Sequence, residues 1–174
     1  MSGHNKWSQI KRTKGASDAK KSQVFGKLAR MISAQVKVAG GDRNAVLVRS
    51  AIEKARSADM PVDTIERAIS KATEQKDLET IVYEAYGPAG VGIIIEAFTD
   101  SRNRAAQEIR HILDKNGFAL GGIGSVMWNF QKVDGELQPK TTVALSNEDS
   151  KLLENLIDEL EENNEVQEVI TNAE

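Results

Sequence analysis

Hydrophobic residues in the first part of the chain recur at helical spacing in three successive segments. Each segment places its apolar side chains on one face, at the 3.6-residue period of an amphipathic helix. Gly40 and Gly41 separate the first segment from the second, and Pro61 precedes the third. The inward positions are Phe25, Leu28, Ile32 and Val36, then Val48, Ala51, Ile52 and Ala55, then Ile65, Ala68, Ile69 and Ala72. This spacing predicts a three-helix bundle over residues 23–76.

The hydrophobic pattern changes after residue 80 to short apolar runs that alternate with amphipathic segments. In order, it predicts a strand ending near Tyr86, a strand over residues 91–98, a helix from Ser101, strands over 125–131 and 141–145, a helix after Ser146, and a strand over 165–171. From residue 91 onward this order is β-α-β-β-α-β. We therefore expect an α+β protein in which residues 79–174 form a ferredoxin-like domain with one extra strand in front.

The chain has 174 residues and no cysteine. The lack of cysteine excludes disulfides, thiolate catalysis and cysteine-based zinc sites, and it is typical of a reducing compartment. No apolar run is long enough to span a bilayer, and the amino end has no signal-peptide pattern. We expect a cytoplasmic protein and, because the helices show no dimer seam, a monomer.

Charge is distributed very unevenly along the chain. Residues 1–76 contain 16 Lys and Arg against 7 Asp and Glu, whereas residues 77–174 contain 7 against 19, so the two parts carry +9 and −12. Such a separation favours a nucleic-acid-binding part joined to an acidic carrier. The alternative is that the charges merely keep the surface solvated.

Residues 1–22 are predicted to form a basic flexible arm. Asp18 is the acid of this segment, and glycines at positions 3 and 15 disfavour an independent helix. A tryptophan among cations is typical of segments that bind irregular or single-stranded nucleic acid. The candidate nucleic-acid-binding residues of the arm are Lys6, Trp7, Lys11, Arg12, Lys14, Lys20 and Lys21. It remains open whether Trp7 contacts a base or folds back, with Ile10, onto the helices.

Two further candidates, Arg102 and Arg104, lie in the first turn of the helix that follows Ser101. Cations at this end oppose the helix macrodipole, so a functional role is considered for both. The helical period directs Arg102 toward the sheet and Arg104 toward solvent. Pairing of both arginines with nearby carboxylates is the alternative.

No constellation of catalytic or cofactor-binding residues is present in the sequence. Glu108 and His111 share a helical face but are too few to hold a metal. The glycines at 87, 90 and 92 are followed by a strand. In a dinucleotide-binding fingerprint a helix follows the glycines, so these residues do not form one. We therefore predict a protein that is not an enzyme and that needs neither a cofactor nor a metal.

Short motifs spread over the whole chain resemble the YebC-like family. They are Gly3-His4, Lys6-Trp7, Ile10-Lys11, Asp18-Ala19-Lys20, Gly40-Gly41-Asp42, Tyr86-Gly87-Pro88, Gly90, Thr99-Asp100, Arg102-Asn103-Arg104, Leu120-Gly121, Gly124-Ser125-Val126 and Val166-Gln167. Bacterial members of this family are called probable transcriptional regulators, and mitochondrial members are called translational activators of cytochrome oxidase. The resemblance implies association with nucleic acid or the ribosome.

One departure from the family pattern is a missing domain. Members of the family have an extra α/β domain after the strand that here ends near Lys132, and residues 133–138 bridge that gap directly. An inserted domain can be lost at a hairpin without breaking the core.

We expect a non-enzymatic regulator of gene expression that binds nucleic acid, with a preference for a translational factor directed at RNA or the ribosome. This preference depends on the basic arm and on the absence of a duplex-recognition pattern of Arg, Asn and Gln. The alternative is a DNA-binding transcriptional regulator, and a protein–protein adaptor is the third possibility.

Overall fold

The computed structural model of the chain describes residues 18–72 and 78–174, with side chains from residue 21 onward. Ten regular elements follow one another in these residues. The helices are α1 (Asp18–Val38), α2 (Val46–Ser57), α3 (Val62–Lys71), α4 (Arg102–Lys115) and α5 (Asn147–Glu162). The strands are β1 (Glu79–Tyr86), β2 (Gly92–Thr99), β3 (Phe130–Val133), β4 (Glu136–Pro139) and β5 (Val166–Thr171). None of the helices described is long and apolar enough to cross a membrane.

The first three helices pack around one apolar core, as the spacing predicts. α1 is the long member and contacts both α2 and α3. Ile32 of α1, Val48 of α2 and Ile65 of α3 are almost completely buried in this core. Gly40 and Gly41 have positive φ values of 61° and 90°, so they turn the chain sharply after α1.

A three-stranded antiparallel sheet, in the order β1-β2-β5, forms the second core. The central strand β2 is buried on both faces because its side chains alternate between two apolar layers. Ile93 and Ile95 face Ile109 of α4 and Leu156 of α5, so both helices lie on one face. On the other face, Ile94 packs in a small cluster with Val126 and Phe130, and Leu137 and Ile170 pack against that cluster.

The α+β class and the three N-terminal helices are confirmed, but the sheet differs from the ferredoxin-like arrangement. In that arrangement all four strands of the β-α-β-β-α-β unit share one sheet. Here β3 and β4 pair only with each other, and β1, the extra strand, lies beside β2. The predicted strand over 125–131 is interrupted by a 3-10 turn at residues 127–129. The predicted strand over 141–145 forms one bridge, between Val143 and Ala173.

The β3–β4 hairpin closes through a two-residue turn. Val133 pairs with Glu136, and between them Asp134 and Gly135 have φ values of 51° and 88°. Positive φ at both central positions defines a type I′ turn, for which Asp-Gly is a preferred sequence. The hairpin is thus completed locally at the place where the sequence predicts a missing domain.

Contacts from α1 join the helical bundle to the sheet. The α5 helix has no basic residue in its last turn to interact with its carbonyl groups. Lys27 of α1 instead donates a hydrogen bond to the carbonyl of Glu161, and Arg30 donates to the carbonyl of Asn164 at 2.9 Å. Cations are favourable at the carboxyl end of a helix, so these two side chains fasten the bundle to α5.

The turn glycine gives a stability prediction. Gly135→Ala places a side chain at a left-handed backbone position, so we expect the variant to lose on the order of 1 kcal/mol of unfolding free energy. Urea denaturation monitored by circular dichroism measures this loss.

A matched control is Gly26→Ala, in the helical interior of α1, where an added Cβ meets nothing within 4 Å. Alanine favours the helix there, so this variant gains roughly 0.5–1 kcal/mol. The same substitution should therefore change stability in opposite directions at the two positions, and a Gly135→Ala variant as stable as wild type would contradict the assignment of the turn.

Candidate nucleic-acid interface

The arm residues predicted to bind nucleic acid fall largely outside the part of the chain that the structure describes. Lys6, Trp7, Lys11, Arg12 and Lys14 lie there, and their predicted role remains a prediction. The other two lysines, Lys20 and Lys21, lie in the first turn of α1. The side chain of Lys21 is exposed.

Some cations of the bundle are used in its own structure. Besides Lys27 and Arg30, Arg43 in the loop before α2 forms an ion pair of 2.7 Å with Glu66 of α3. Both side chains of that pair are about half exposed, at 54% and 49%. Exposed pairs of this kind contribute little to stability.

Three cations on the outer side of α2 have no such partner. Arg49, Lys54 and Arg56 are exposed, and they form no ion pair or side-chain hydrogen bond with any residue of the described ranges. Glu53 is the acid on this helix. The buried face of α2 holds Val48, Ala51 and Ala55, and the three cations lie outside that face. This α2 surface, defined by Arg49, Lys54 and Arg56, is available to an anionic partner.

The two arginines at the start of α4 are both paired with carboxylates. Ser101 caps this helix by accepting a hydrogen bond from the backbone amide of Arg104 at 3.4 Å. The Nε of Arg102 donates to Glu79 of β1 at 2.7 Å, and the arginine side chain is 72% exposed. The hydrogen bond to Glu79 raises the pKa of Arg102 above its ordinary value. Both groups of this pair lie at the surface.

Arg104 is held more extensively than Arg102. Its guanidinium donates to Glu165 at 3.0 Å through Nε and to Asp100 at 2.6 Å through Nη2. The side chain of Glu165 is only 5% exposed, so Arg104 neutralises a buried carboxylate. The hydrogen bonds to Glu165 and Asp100 raise the pKa of Arg104 above its ordinary value.

The predicted difference between these two arginines is therefore reversed. The helical period placed Arg102 against the sheet and Arg104 in solvent, but Arg102 is the more exposed side chain, at 72% against 50%. The reason is that Glu165 directly precedes β5, and its buried carboxylate accepts a hydrogen bond from Arg104 at the start of α4. The alternative interpretation, pairing with nearby carboxylates, describes both contacts.

Glu84 is a key residue that the sequence analysis missed. This β1 residue is 5% exposed, and its carboxylate accepts backbone hydrogen bonds from Gly124, Val126 and Met127 at 2.6, 2.7 and 2.7 Å. Burial opposes ionisation of the Glu84 carboxyl, but the three amide donors outweigh burial and lower its pKa. The sequence shows an acidic residue in a predicted strand and, some forty residues later, a glycine-rich loop. Nothing in that pattern indicates that the two lie next to each other.

No metal site is found among residues 18–72 and 78–174, where no three His, Cys, Asp or Glu side chains are grouped to hold an ion. Glu108 and His111 are both exposed on α4. The carboxylate of Glu108 accepts a hydrogen bond from the Asn163 amide at 2.7 Å. This acid contributes to a surface contact between α4 and the end of α5.

Two family profiles match this chain. The profile described as the TACO1/YebC protein N-terminal domain matches residues 5–75, and the one described as the TACO1/YebC second and third domain matches residues 78–135. The chain is also similar to a probable transcriptional regulatory protein of Petrotoga mobilis, with 47% identity over 176 residues, 98% of this chain and 70% of the relative. These similarities place the α+β chain in the TACO1/YebC family, the YebC-like family of the sequence analysis.

A second relative shows where this chain is shorter. It is a probable transcriptional regulatory protein of Thermoanaerobacter pseudethanolicus, 38% identical over 239 aligned positions that cover 100% of this chain and 97% of the relative. This chain has 174 residues, so many aligned positions of the relative have no counterpart here. The shorter length fits the loss of a third domain.

A solved structure has the same fold. A conserved hypothetical protein from Aquifex aeolicus superposes with a TM-score of 0.83 at 29% identity, covering 97% of this chain and 96% of that one. The relatives named above are called regulatory proteins and not enzymes. These names support the transcriptional alternative of the sequence analysis, and they do not support its preference for RNA and translation.

The arginine contacts lead to a stability comparison. Arg104→Ala leaves the buried Glu165 carboxylate without its cation, whereas Arg102→Ala opens a surface pair only. We expect the midpoint of urea denaturation to fall clearly in the first variant and to change little in the second. Adding Glu165→Gln to Arg104→Ala should restore part of the loss, because the uncompensated charge is removed. Equal midpoints for the two single variants would contradict this account.

Glu84 leads to a prediction about pH. Because the folded state lowers the pKa of this carboxyl, its contribution to stability is present above the ordinary pKa of about 4.5 and is lost as pH falls through the folded value. Glu84→Gln should flatten the decrease of unfolding free energy below pH 5. At pH 7 the same variant should cost about 2 kcal/mol, because amide donors then face a neutral acceptor. Denaturation curves at several pH values test both expectations.

Proposed function

We propose that this chain is a non-enzymatic, DNA-binding regulator of transcription. The observation that carries the proposal is the group of exposed cations on α2, in the basic part of the chain. The α2 surface keeps Arg49, Lys54 and Arg56 exposed and without carboxylate partners in the described residues, whereas Arg102 and Arg104 of the acidic part are paired. The names of the relatives support the same function.

The physical basis of such binding is the release of counterions from the phosphate backbone. Lys and Arg that meet phosphates provide affinity with little dependence on sequence. The outer side of α2 and the predicted basic arm offer such cations, while the net charge of −12 on residues 77–174 opposes contact with a polyanion. We infer that DNA lies against residues 1–76, and that a monomer binds it mainly through the backbone.

The arm is tested by a salt titration against duplex DNA. If about four of its cations meet phosphates, the slope of log affinity against log salt should be roughly −3 to −4 from the arm alone. Removing residues 1–22 should flatten the slope by that amount and weaken binding, while the melting temperature changes little. A slope that does not change after truncation would remove the arm from the interface.

The α2 surface is tested by charge removal at matched positions. Arg49→Gln and Arg56→Gln should each reduce the salt slope by about 1, because each variant loses one phosphate contact. Arg110→Gln is the control, since Arg110 is an exposed arginine on α4 in the acidic part. An equal effect of the control would show a non-specific response to net charge. Stronger binding to structured RNA than to duplex DNA of the same length would favour the translational alternative.

A further inference from the structure

Two aromatic rings stand open to solvent on the sheet side of the molecule. The indole of Trp128 is 62% exposed, and its Nε1 donates a hydrogen bond to the Ser125 carbonyl at 2.9 Å. The Tyr86 hydroxyl donates to the same carbonyl at 2.6 Å, and Tyr86 is 43% exposed. The two rings therefore meet at one acceptor that fixes their polar ends, and their faces stay accessible.

Hydrogen bonds fix the backbone on both sides of Trp128. Glu84 binds the backbone amides of Val126 and Met127, the two residues before it. Asn129, the residue after it, is buried and exchanges hydrogen bonds with Thr141 at 2.7–3.2 Å. A platform that is fixed before a partner arrives loses little conformational entropy on binding.

A small cleft lies between the two rings. Its volume is about 130 Å³, and its lining combines the aromatic walls of Tyr86 and Trp128 with the amides of Asn129 and Asn172. The two amides are already hydrogen-bonded within the fold, to Thr141 and Gly92, so the aromatic walls are what this cleft offers to a partner. A nucleobase presents a flat apolar face, which suits such walls.

A cation is placed directly beside the platform. The ammonium of Lys140 donates to the Trp128 carbonyl at 2.8 Å, and Lys140 is exposed, so donors of the ammonium remain for a further acceptor. The net charge of −12 on residues 77–174 opposes a polyanion over most of this part, so Lys140 is a local exception at the platform. A cation next to stacking rings is the arrangement by which proteins hold single-stranded nucleic acid.

We propose that Trp128 and Tyr86 form a stacking platform for an unpaired base, with Lys140 contacting a neighbouring phosphate. This inference rests on the proposed function and adds to it: the nucleic acid that meets residues 1–76 has an unpaired stretch that reaches the sheet. The protein then distinguishes gapped or opened DNA from intact duplex, which the basic surface alone cannot do.

The test compares two probes, an intact duplex and the same duplex with a short single-stranded gap. Wild-type protein should bind the gapped probe more tightly. Trp128→Ala should lose about five- to one-hundred-fold in affinity for the gapped probe, the range expected for one stacked base, and should bind intact duplex as before. Trp128→Phe should lose less, because a ring remains.

A matched control and a spectroscopic signal accompany these measurements. Ile123 is fully exposed in the same loop but cannot stack, so Ile123→Ala should bind both probes like wild type. The chain has two tryptophans, so in a Trp7→Phe background the emission reports Trp128 alone. The gapped probe should quench this emission, and the intact duplex should leave it unchanged.

The possible failures are distinguishable. If wild type binds intact duplex but shows no preference for the gap, or if Trp128→Ala keeps the preference, the platform proposal is wrong and the proposed function stands. If Ile123→Ala weakens binding to the gapped probe as much as Trp128→Ala, the loss does not come from stacking, and the platform proposal is again wrong. If wild type binds neither probe, both proposals are wrong.

Discussion

The burial of β2 on both faces is the constraint on which the second half of the molecule depends. A three-stranded sheet with Ile93 and Ile95 on one side and Ile94 on the other needs an apolar cover on each side. The α4 and α5 helices supply the first cover, and the segment from Val126 through the β3–β4 hairpin supplies part of the second. The hairpin is thus a lid on the sheet and not an extension of it. Glu84 holds this lid in register by binding the amides that lead into it.

Several cations in both parts of the chain are used within the fold. Around the sheet, Arg104 and Arg102 compensate carboxylates at the start of α4, and Lys115 pairs with Glu159 at its end. Lys27 and Arg30 of α1 hold the carboxyl end of α5 and so connect the bundle to the sheet. The cations of the α2 surface form no ion pair or side-chain hydrogen bond within the described residues. An exposed charge without an internal partner is the stronger candidate for contact with a polyanion, and the three cations of α2 meet that condition whereas Arg102 and Arg104 do not.

The sequence pattern predicted the local elements well, because amphipathic spacing depends on neighbours along the chain. The stripes of α1, α2 and α3, the buried strand β2 and the Ser101 cap of α4 all follow from it. What it could not supply was the partner of each strand. β1 pairs with β2 across a short turn, but the second neighbour of β2 is β5, and pairs such as Ile94 with Ile170 join residues that are distant in sequence. The same holds for Arg104, whose partner Glu165 lies sixty-one residues away.

The predicted loss of a domain at residues 133–138 is compatible with the structure of the hairpin. Val133 and Glu136 pair directly, so the two ends of any segment inserted at Asp134 and Gly135 would lie side by side at the surface. The core contacts do not depend on the length of this connection. Phe130 and Leu137 can pack near Ile94 whether two residues or a whole domain connect the strands. Trp128 lies directly before this hairpin, at the end away from the turn, and its indole shares the Ser125 carbonyl with the Tyr86 hydroxyl at the end of β1.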